Sequence, residues 1–187
     1  AQRVCFSPGD LERALPSGRH LRYTFGIDPT SSKVHLGLAV PIRKMRQFQR
    51  LGHQIIIIIG DFTGMLGDAS DKDAMRTMLT REQVRANMAT YIEQINGILD
   101  AGPVEYSHNS EWLDSLRFNE IINLASQFTV AQMLQRENFA ERSRDEMPIC
   151  LQELLYPTFP GYTSVARRAV GVLGGPDQLF NPLARVI

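Results

Sequence analysis

The feature that most narrows the fold is a run of five isoleucines. Residues 54–60 read Gln-Ile-Ile-Ile-Ile-Ile-Gly, with Gly52 two residues upstream of the run's first polar neighbour. An unbroken β-branched stretch of this length has no polar face to offer water. It reads as a strand buried on both sides, the situation of an inner strand in a parallel sheet. Upstream, residues 21–27 (LRYTFGI) are rich in aromatic and β-branched side chains and read as a second strand, ending in the polar turn Asp28-Pro29-Thr30-Ser31-Ser32. Between the two, apolar residues recur at helical spacing over 36–51, interleaved with Arg43, Lys44, Arg46 and Arg50. Gly52 stands where a helix end favours glycine. Strand, helix and strand in this order make a βαβ unit, whose crossover is expected to be right-handed.

The rest of the chain extends an α/β pattern. Residues 1–20 form a lead segment, with Ser7 and Pro8 placed to open a short helix over 11–15. Residues 61–80 are Gly/Asp/Ser/Thr-rich and read as loop. Thr80 with Gln83 three residues later is a capping box that predicts a helix over 81–99. A strand is expected over 104–108, a predominantly helical region over 111–142, and short helices over 152–159 and 162–168 around Pro157 and Pro160. A last strand is expected over 170–173, before Gly174-Gly175. The sequence stops at Ile187 in mid-pattern, which reads as a piece truncated at its C-terminus.

Composition fits one such domain. The chain has 187 residues, 43% hydrophobic and 21% charged, which excludes disordered and fibrous classes. Twenty basic residues balance 20 acidic ones, so charge alone gives no drive toward nucleic acid or an anionic membrane. Cys5 and Cys150 are too few and too far apart for a disulfide scaffold or a zinc site. The first residues lack a signal-peptide core, and the run from Ile55 to Ile59 is too short to span a bilayer. These features predict a soluble, cytoplasmic protein without a metal site or membrane contact.

In a doubly wound sheet, ligands bind beyond the carboxyl ends of the strands. The residues falling there are Asp28-Pro29-Thr30 with His35-Leu36-Gly37, Gly60 to Thr63, Gly67-Asp68, Asn109-Ser110, and Gly174 to Gln178. Neither a Walker A loop nor a GxGxxG turn is present, so kinase and dinucleotide-dehydrogenase readings lack their phosphate cradle. His35 and Gly37 stand at the start of the helix expected from about Leu36. A helix N-terminus favours a phosphate, and an imidazole can donate to it. The same residues also fit a surface histidine beside a helix-start glycine.

The motifs taken together carry more. The stretch GIDPTSSKVHLGLAVPIRKMRQFQRLGHQIIIIIGDFTGMLGD resembles the first half of a bacterial tyrosyl-tRNA synthetase, a class I aminoacyl-tRNA synthetase, with its G-x-DPT turn, HIGH-type motif and GDxT…GDPSGK loop. HNSEW, ELLYPTFPGYTSVA and LGGPDQLFN are similar, in order, to the family's asparagine-bearing strand end, tyrosine-pocket helix and GG-x-DQ loop. The resemblance implies a Rossmann-like (HUP-type) parallel sheet with flanking helices over residues 21–187, with a helical insertion at about 111–142 that forms a homodimer in the family. It implies formation of tyrosyl-adenylate from tyrosine and ATP, with Mg2+ accompanying the ATP, and later transfer to tRNA(Tyr). His35, Gly37 and Thr30 then match catalytic positions, with Gly26, Asp28, His35, Gly37 and Asp177 matching the ATP site. Asp68, Asn109, Tyr156, Thr163 and Gln178 match the tyrosine site.

Departures from the pattern fall on the same positions. Leu38 replaces the second histidine of the HIGH-type motif, and losing one preorganised donor typically costs about 2.7–4 kcal/mol in barrier. Ala69 and Asp71 replace a proline and a glycine, and Pro160 replaces a glutamine that helps bind the amino group. Thr163 stands for the aspartate that reads the phenol hydroxyl. Pro176 replaces a small polar residue, and Val170 and Gly171 an acidic pair. No KMSKS-type lid or anticodon-binding region lies in these residues. Two competing readings follow: a non-catalytic paralogue that retains nucleotide binding, and an adenylating relative that uses another amino acid.

Overall fold

The computed structural model describes residues 3–4, 20–66, 78–167 and 171–174. Among these residues, five strands form one sheet: β1 (Arg3–Val4), β2 (Arg22–Ile27), β3 (Gln54–Ile59), β4 (Val104–His108) and β5 (Gly171–Gly174). Their order across the sheet is β1–β5–β2–β3–β4. The inner neighbours β5/β2, β2/β3 and β3/β4 are parallel, and β1 pairs antiparallel with β5 at one edge. The chain builds outward from β2 through β3 to β4 and then returns to the other side of β2. That return makes the carboxyl end of β2 the switch point of strand order, where a ligand crevice is expected.

The isoleucine run is β3, paired on both sides and buried throughout. Helix α1 (Leu36–Arg50) crosses from β2 to β3 and ends at Leu51, with Gly52 in the left-handed region at φ 81°. Its buried residues Ile42, Met45 and Phe48 pack with Tyr23, Phe25, Ile27, Ile55, Ile57 and Ile59 in the main core. Pro41 lies inside this helix and is buried.

The remaining helices are α2 (Thr63–Leu66), α3 (Arg81–Met88), α4 (Tyr91–Asn96), α5 (Ser110–Leu113), α6 (Phe118–Ala125), α7 (Val130–Met133), α8 (Glu137–Arg144), α9 (Leu151–Leu155) and α10 (Thr158–Ala166). The Thr80/Gln83 capping box is formed, but the single helix expected over 81–99 is two. Thr90 interrupts it, its hydroxyl donating to the Ser32 carbonyl at 2.9 Å, and α4 restarts so that Tyr91 and Ile95 reach the core. The expected break near Pro160 also moves. It falls at Tyr156-Pro157, where Pro157 has no N–H to continue the bonding of α9, whereas Pro160 sits in the first turn of α10, where its missing N–H has no intrahelical partner to lose. Helix α2 forms inside the segment expected to be loop, and Arg3–Val4 joins the sheet, which composition gave no reason to expect. The short helix expected over 11–15 lies outside the described residues.

Candidate active site

Four side chains meet where β2, β3 and β4 end. Asp28 follows β2 directly, and its two oxygens are each met by a hydroxyl: Thr63 Oγ1 donates to Oδ1 at 2.6 Å, and the Tyr156 phenol donates to Oδ2 at 2.6 Å. Thr63 in turn accepts from Asn109 Nδ2 at 2.7 Å, while Asn109 Oδ1 accepts from the Phe62 amide at 2.8 Å. The chain of bonds runs from β4 through α2 and β2 to the turn after α9, so residues distant in sequence fix one carboxylate. Gly60 completes the fit. A Cβ there would lie 1.7 Å from Asp28 Oδ1 and 2.5 Å from Thr63 Oγ1. Beside this network, Asp61 binds the Ser110 amide at 2.9 Å and the Ser110 hydroxyl at 2.6 Å, tying the ends of β3 and β4 together.

The turn after Asp28 is held from below by α3 and α4. Asn87 Nδ2 donates to the Pro29 carbonyl at 2.9 Å, and Gln94 Oε1 accepts from the Val34 amide at 2.9 Å. The Thr30 amide closes back on the Asp28 carbonyl at 2.8 Å. His35 is the N-cap of α1, and its Nδ1 accepts from the Gly37 amide at 3.1 Å. That bond commits the imidazole: Nδ1 is the acceptor, so the ring proton of the neutral form sits on Nε2. A Cβ on Gly37 would come within 2.9 Å of the ring. His35 and Gly37 are both exposed at the helix mouth, where backbone dipoles favour an anion. Leu38 is turned the other way, packed against the core.

Helix α10 lies over the sheet face opposite α1. Phe159 meets the Phe62 ring edge-on at 5.8 Å. One turn on, Thr163 Oγ1 accepts from Trp112 Nε1 at 3.0 Å. Arg167 stacks over the Trp112 ring at 5.4 Å and also reaches Glu105 and Ser107. Gly26 is exposed although it lies in the middle strand, and nothing stands within 4 Å of where its Cβ would be. This face therefore holds an open space at Gly26.

The structure thus brings Gly26, Asp28, Thr30, His35, Gly37, Asn109, Tyr156 and Thr163 to the carboxyl-end side of one sheet. Asp68, Asp177 and Gln178 lie outside the described residues, as do the departures Ala69, Asp71, Val170 and Pro176. Asn109 has both ends of its amide engaged by the framework. The sequence places Gly60 and Thr63 at a strand end without giving either a role, and it does not single out Trp112. The first two stand inside the GDxT motif, so spacing held the signal. Trp112 carried none beyond its place in HNSEW.

The chain matches the family model of class I tRNA synthetases (W and Y) over residues 16–184. It is 51% identical over 93% of its length to tyrosine–tRNA ligase of Xylella fastidiosa, covering 42% of that protein. It is 49% identical to the enzyme of Carboxydothermus hydrogenoformans, over 92% of this chain and 42% of that one. The chain therefore spans about two-fifths of the length of these relatives. Among solved structures, a C-terminally truncated mitochondrial tyrosyl-tRNA synthetase of Aspergillus nidulans shares the fold, with a TM-score of 0.78 at 19% identity, over 95% of this chain and 54% of that chain. Tyrosyl-tRNA synthetase from Pyrococcus horikoshii complexed with L-tyrosine does so with a TM-score of 0.75 at 18% identity, over 99% and 50%. Fold, strand-end motifs and identity agree, and the chain belongs to the tryptophan and tyrosine branch of the class I tRNA synthetases.

Proposed function

We propose that this chain activates tyrosine with ATP as the catalytic part of a tyrosine–tRNA ligase. The observation that supports this best is the Asp28–Thr63–Asn109–Tyr156 network at the strand ends of a chain about half identical to such ligases. In the reaction a carboxylate oxygen of tyrosine bonds to the α-phosphorus of ATP. The bond from that phosphorus to the bridging oxygen breaks, and its electron pair leaves with pyrophosphate. The protein need not move a proton; it must align the reactants and stabilise the charge that develops.

The assignments follow the polarity of each group. His35, with its proton on Nε2, donates to a phosphoryl oxygen, and the first turn of α1 adds backbone dipoles. Gly37 lets the adenine approach, while Gly26, Thr30, Asp28 and Asp177 complete the ATP side. The Tyr156 hydroxyl gives its proton to Asp28, so toward a substrate its oxygen has acceptor polarity, the polarity an ammonium needs. Asp68, Gln178, Asn109 and Thr163 complete the tyrosine side. Mg2+ is assigned to the ATP phosphates it accompanies. When bound it offsets the charge of the departing pyrophosphate.

Transfer to tRNA(Tyr), action in the cytoplasm and a homodimer complete the proposal. Phe118, Ile122 and Val130 lie exposed on α6 and α7, as a subunit contact through the helical insertion requires. No described helix is long and apolar enough to cross a membrane.

Amino-acid-dependent ATP–pyrophosphate exchange tests the reading. Tyrosine is expected to support exchange above every other amino acid. A different preferred amino acid would instead support the reading of an adenylating relative, with Pro160 and Thr163 standing where the family has a glutamine and an aspartate. Absence of exchange with all amino acids, with ATP still raising the melting temperature, would leave the non-catalytic reading.

A further inference from the structure

Gly26 opens onto the sheet face that α10 covers. Gly26, Ile58 and Ser107 are aligned in register across β2, β3 and β4, so they form one row on the sheet face beneath α10. Arg167 is fastened to Ser107 at the far end of that row. Tyr156, Phe159 and Thr163 meet the ends of β2, β3 and β4 in turn, through Asp28, Phe62 and Trp112. Thr163 therefore sits one helical turn before Arg167, above the row. It is 8% exposed, one of its lone pairs is taken by the Trp112 N–H, and among the described residues nothing accepts its own proton. Trp112 cannot turn away, because its ring lies under the Arg167 guanidinium.

A hydroxyl that already accepts one bond and has no acceptor of its own presents its proton. We propose that Thr163, held by Trp112, makes the far end of the amino-acid pocket a proton donor, so that the site takes an aromatic amino acid whose ring ends in a hydrogen-bond-accepting oxygen and prefers the phenolate to the neutral phenol. This rests on the reading above that the pocket binds a tyrosine-type side chain, and adds which protonation state it selects.

The charged groups around Thr163 do not supply a competing acceptor. Just past β2, Asp28 is met by two hydroxyls, and on β2 Arg22 faces Glu105 at 3.5 Å. On β4, Glu105 is bound by Arg167, and His108 faces Asp61 at 3.6 Å. On α5, Glu111 lies 3.8 Å from Arg167; on α6, Glu120 caps its own helix at the Arg117 amide. The cation one turn beyond Thr163, Arg167, is itself met by Glu105 and Glu111.

The probe is 3,5-difluorotyrosine, close in shape to tyrosine, with a phenol that ionises well below tyrosine's value of about 10. Its ultraviolet absorbance reports ionisation directly, with or without turnover. On binding, the phenol's midpoint is expected to fall by about one unit, since a hydrogen bond to the charged form favours it. Thr163→Ser keeps the hydroxyl and is expected to keep the fall. Thr163→Val is expected to abolish it, and Trp112→Phe to shrink it by returning a lone pair to Thr163. A midpoint unchanged or raised on binding would overturn the proposal, as would a fall that survives Thr163→Val. Either result alongside tyrosine-dependent exchange would leave the activation reading standing. No binding of the probe and no exchange with any aromatic amino acid would remove both.

Discussion

On one face of the sheet Tyr23, Phe25, Ile27, Ile55, Ile57 and Ile59 pack dry against α1 and α4. On the other, Thr24, Gly26, Glu105 and Ser107 meet carbonyls, a guanidinium and open space. The same three strands build both faces, since successive side chains alternate. The dry face gains its stability from area removed from water and from close packing, neither of which depends on direction. The other face carries Ile56 and Ile58 as well, but its Thr24, Glu105 and Ser107 depend on direction, because each buried donor or acceptor must find its partner or cost free energy. Stability and chemistry are thereby laid on opposite sides of the same strands, and substitutions on the two faces should separate them.

The largest separation is expected from two substitutions three positions apart. Ile57 is fully buried on the dry face. Ile57→Ala should cost about 2–5 kcal/mol in stability, from lost transfer and a residual cavity. The melting temperature should fall while exchange per folded molecule stays near that of the unaltered chain. Gly60→Ala should do the reverse. Its new Cβ lands on Asp28 Oδ1, the end of a side chain that can move, so the fold survives and Asp28 does not stay in place. Exchange is expected to fall about 10²-fold, the cost of displacing a site by about 1 Å. Equal losses of stability and activity in both variants would erase the distinction between the faces.

The same asymmetry explains what could be read from sequence. The βαβ unit, the isoleucine strand and the Thr80/Gln83 cap were legible because each rests on a period or a fixed offset. The dry face needs only that apolar residues arrive on the right side. The site is different: Asp28 meets Tyr156 across 128 positions and Thr63 across 35, and no local pattern encodes such pairings. Family resemblance supplied the residue names, though not the bonds between Thr63 and Asn109 or between Thr163 and Trp112. Thr90 illustrates the remaining gap. Its apolar neighbours keep helical spacing, yet its hydroxyl is drawn to the Ser32 carbonyl and splits the helix.

A smaller effect is expected at the amino-terminal edge of the dry face. His53 lies 5.4 Å from the Tyr23 ring, and burial together with nearby His20 holds its pKa below the usual histidine value. The unfolded chain therefore binds a proton more readily than the folded one. Stability should begin to drop as pH falls through about 6.5, and the drop should level off below the lowered folded value. His53→Gln should remove this part of the pH dependence, seen as flatter denaturant midpoints across that window. An unchanged slope would place the titrating group elsewhere.

The smallest expected effect tests how dry the dry face is. The Tyr23 ring stacks on Phe48 at 4.1 Å and the residue is 0% exposed, yet among the described residues its hydroxyl has no hydrogen-bond partner. Burial accordingly raises its pKa. An unpaired buried hydroxyl costs about 1–3 kcal/mol, whereas a paired one contributes about 1 kcal/mol. Removing it leaves the ring and its stacking intact. Tyr23→Phe should therefore be neutral or stabilising by about 1 kcal/mol, measured as a denaturant midpoint that holds or rises at unchanged slope. A loss of stability of that size would mean that the hydroxyl is satisfied from inside the core. The face that carries the fold would then depend on direction too, and the division between the two sides of the sheet would be one of degree.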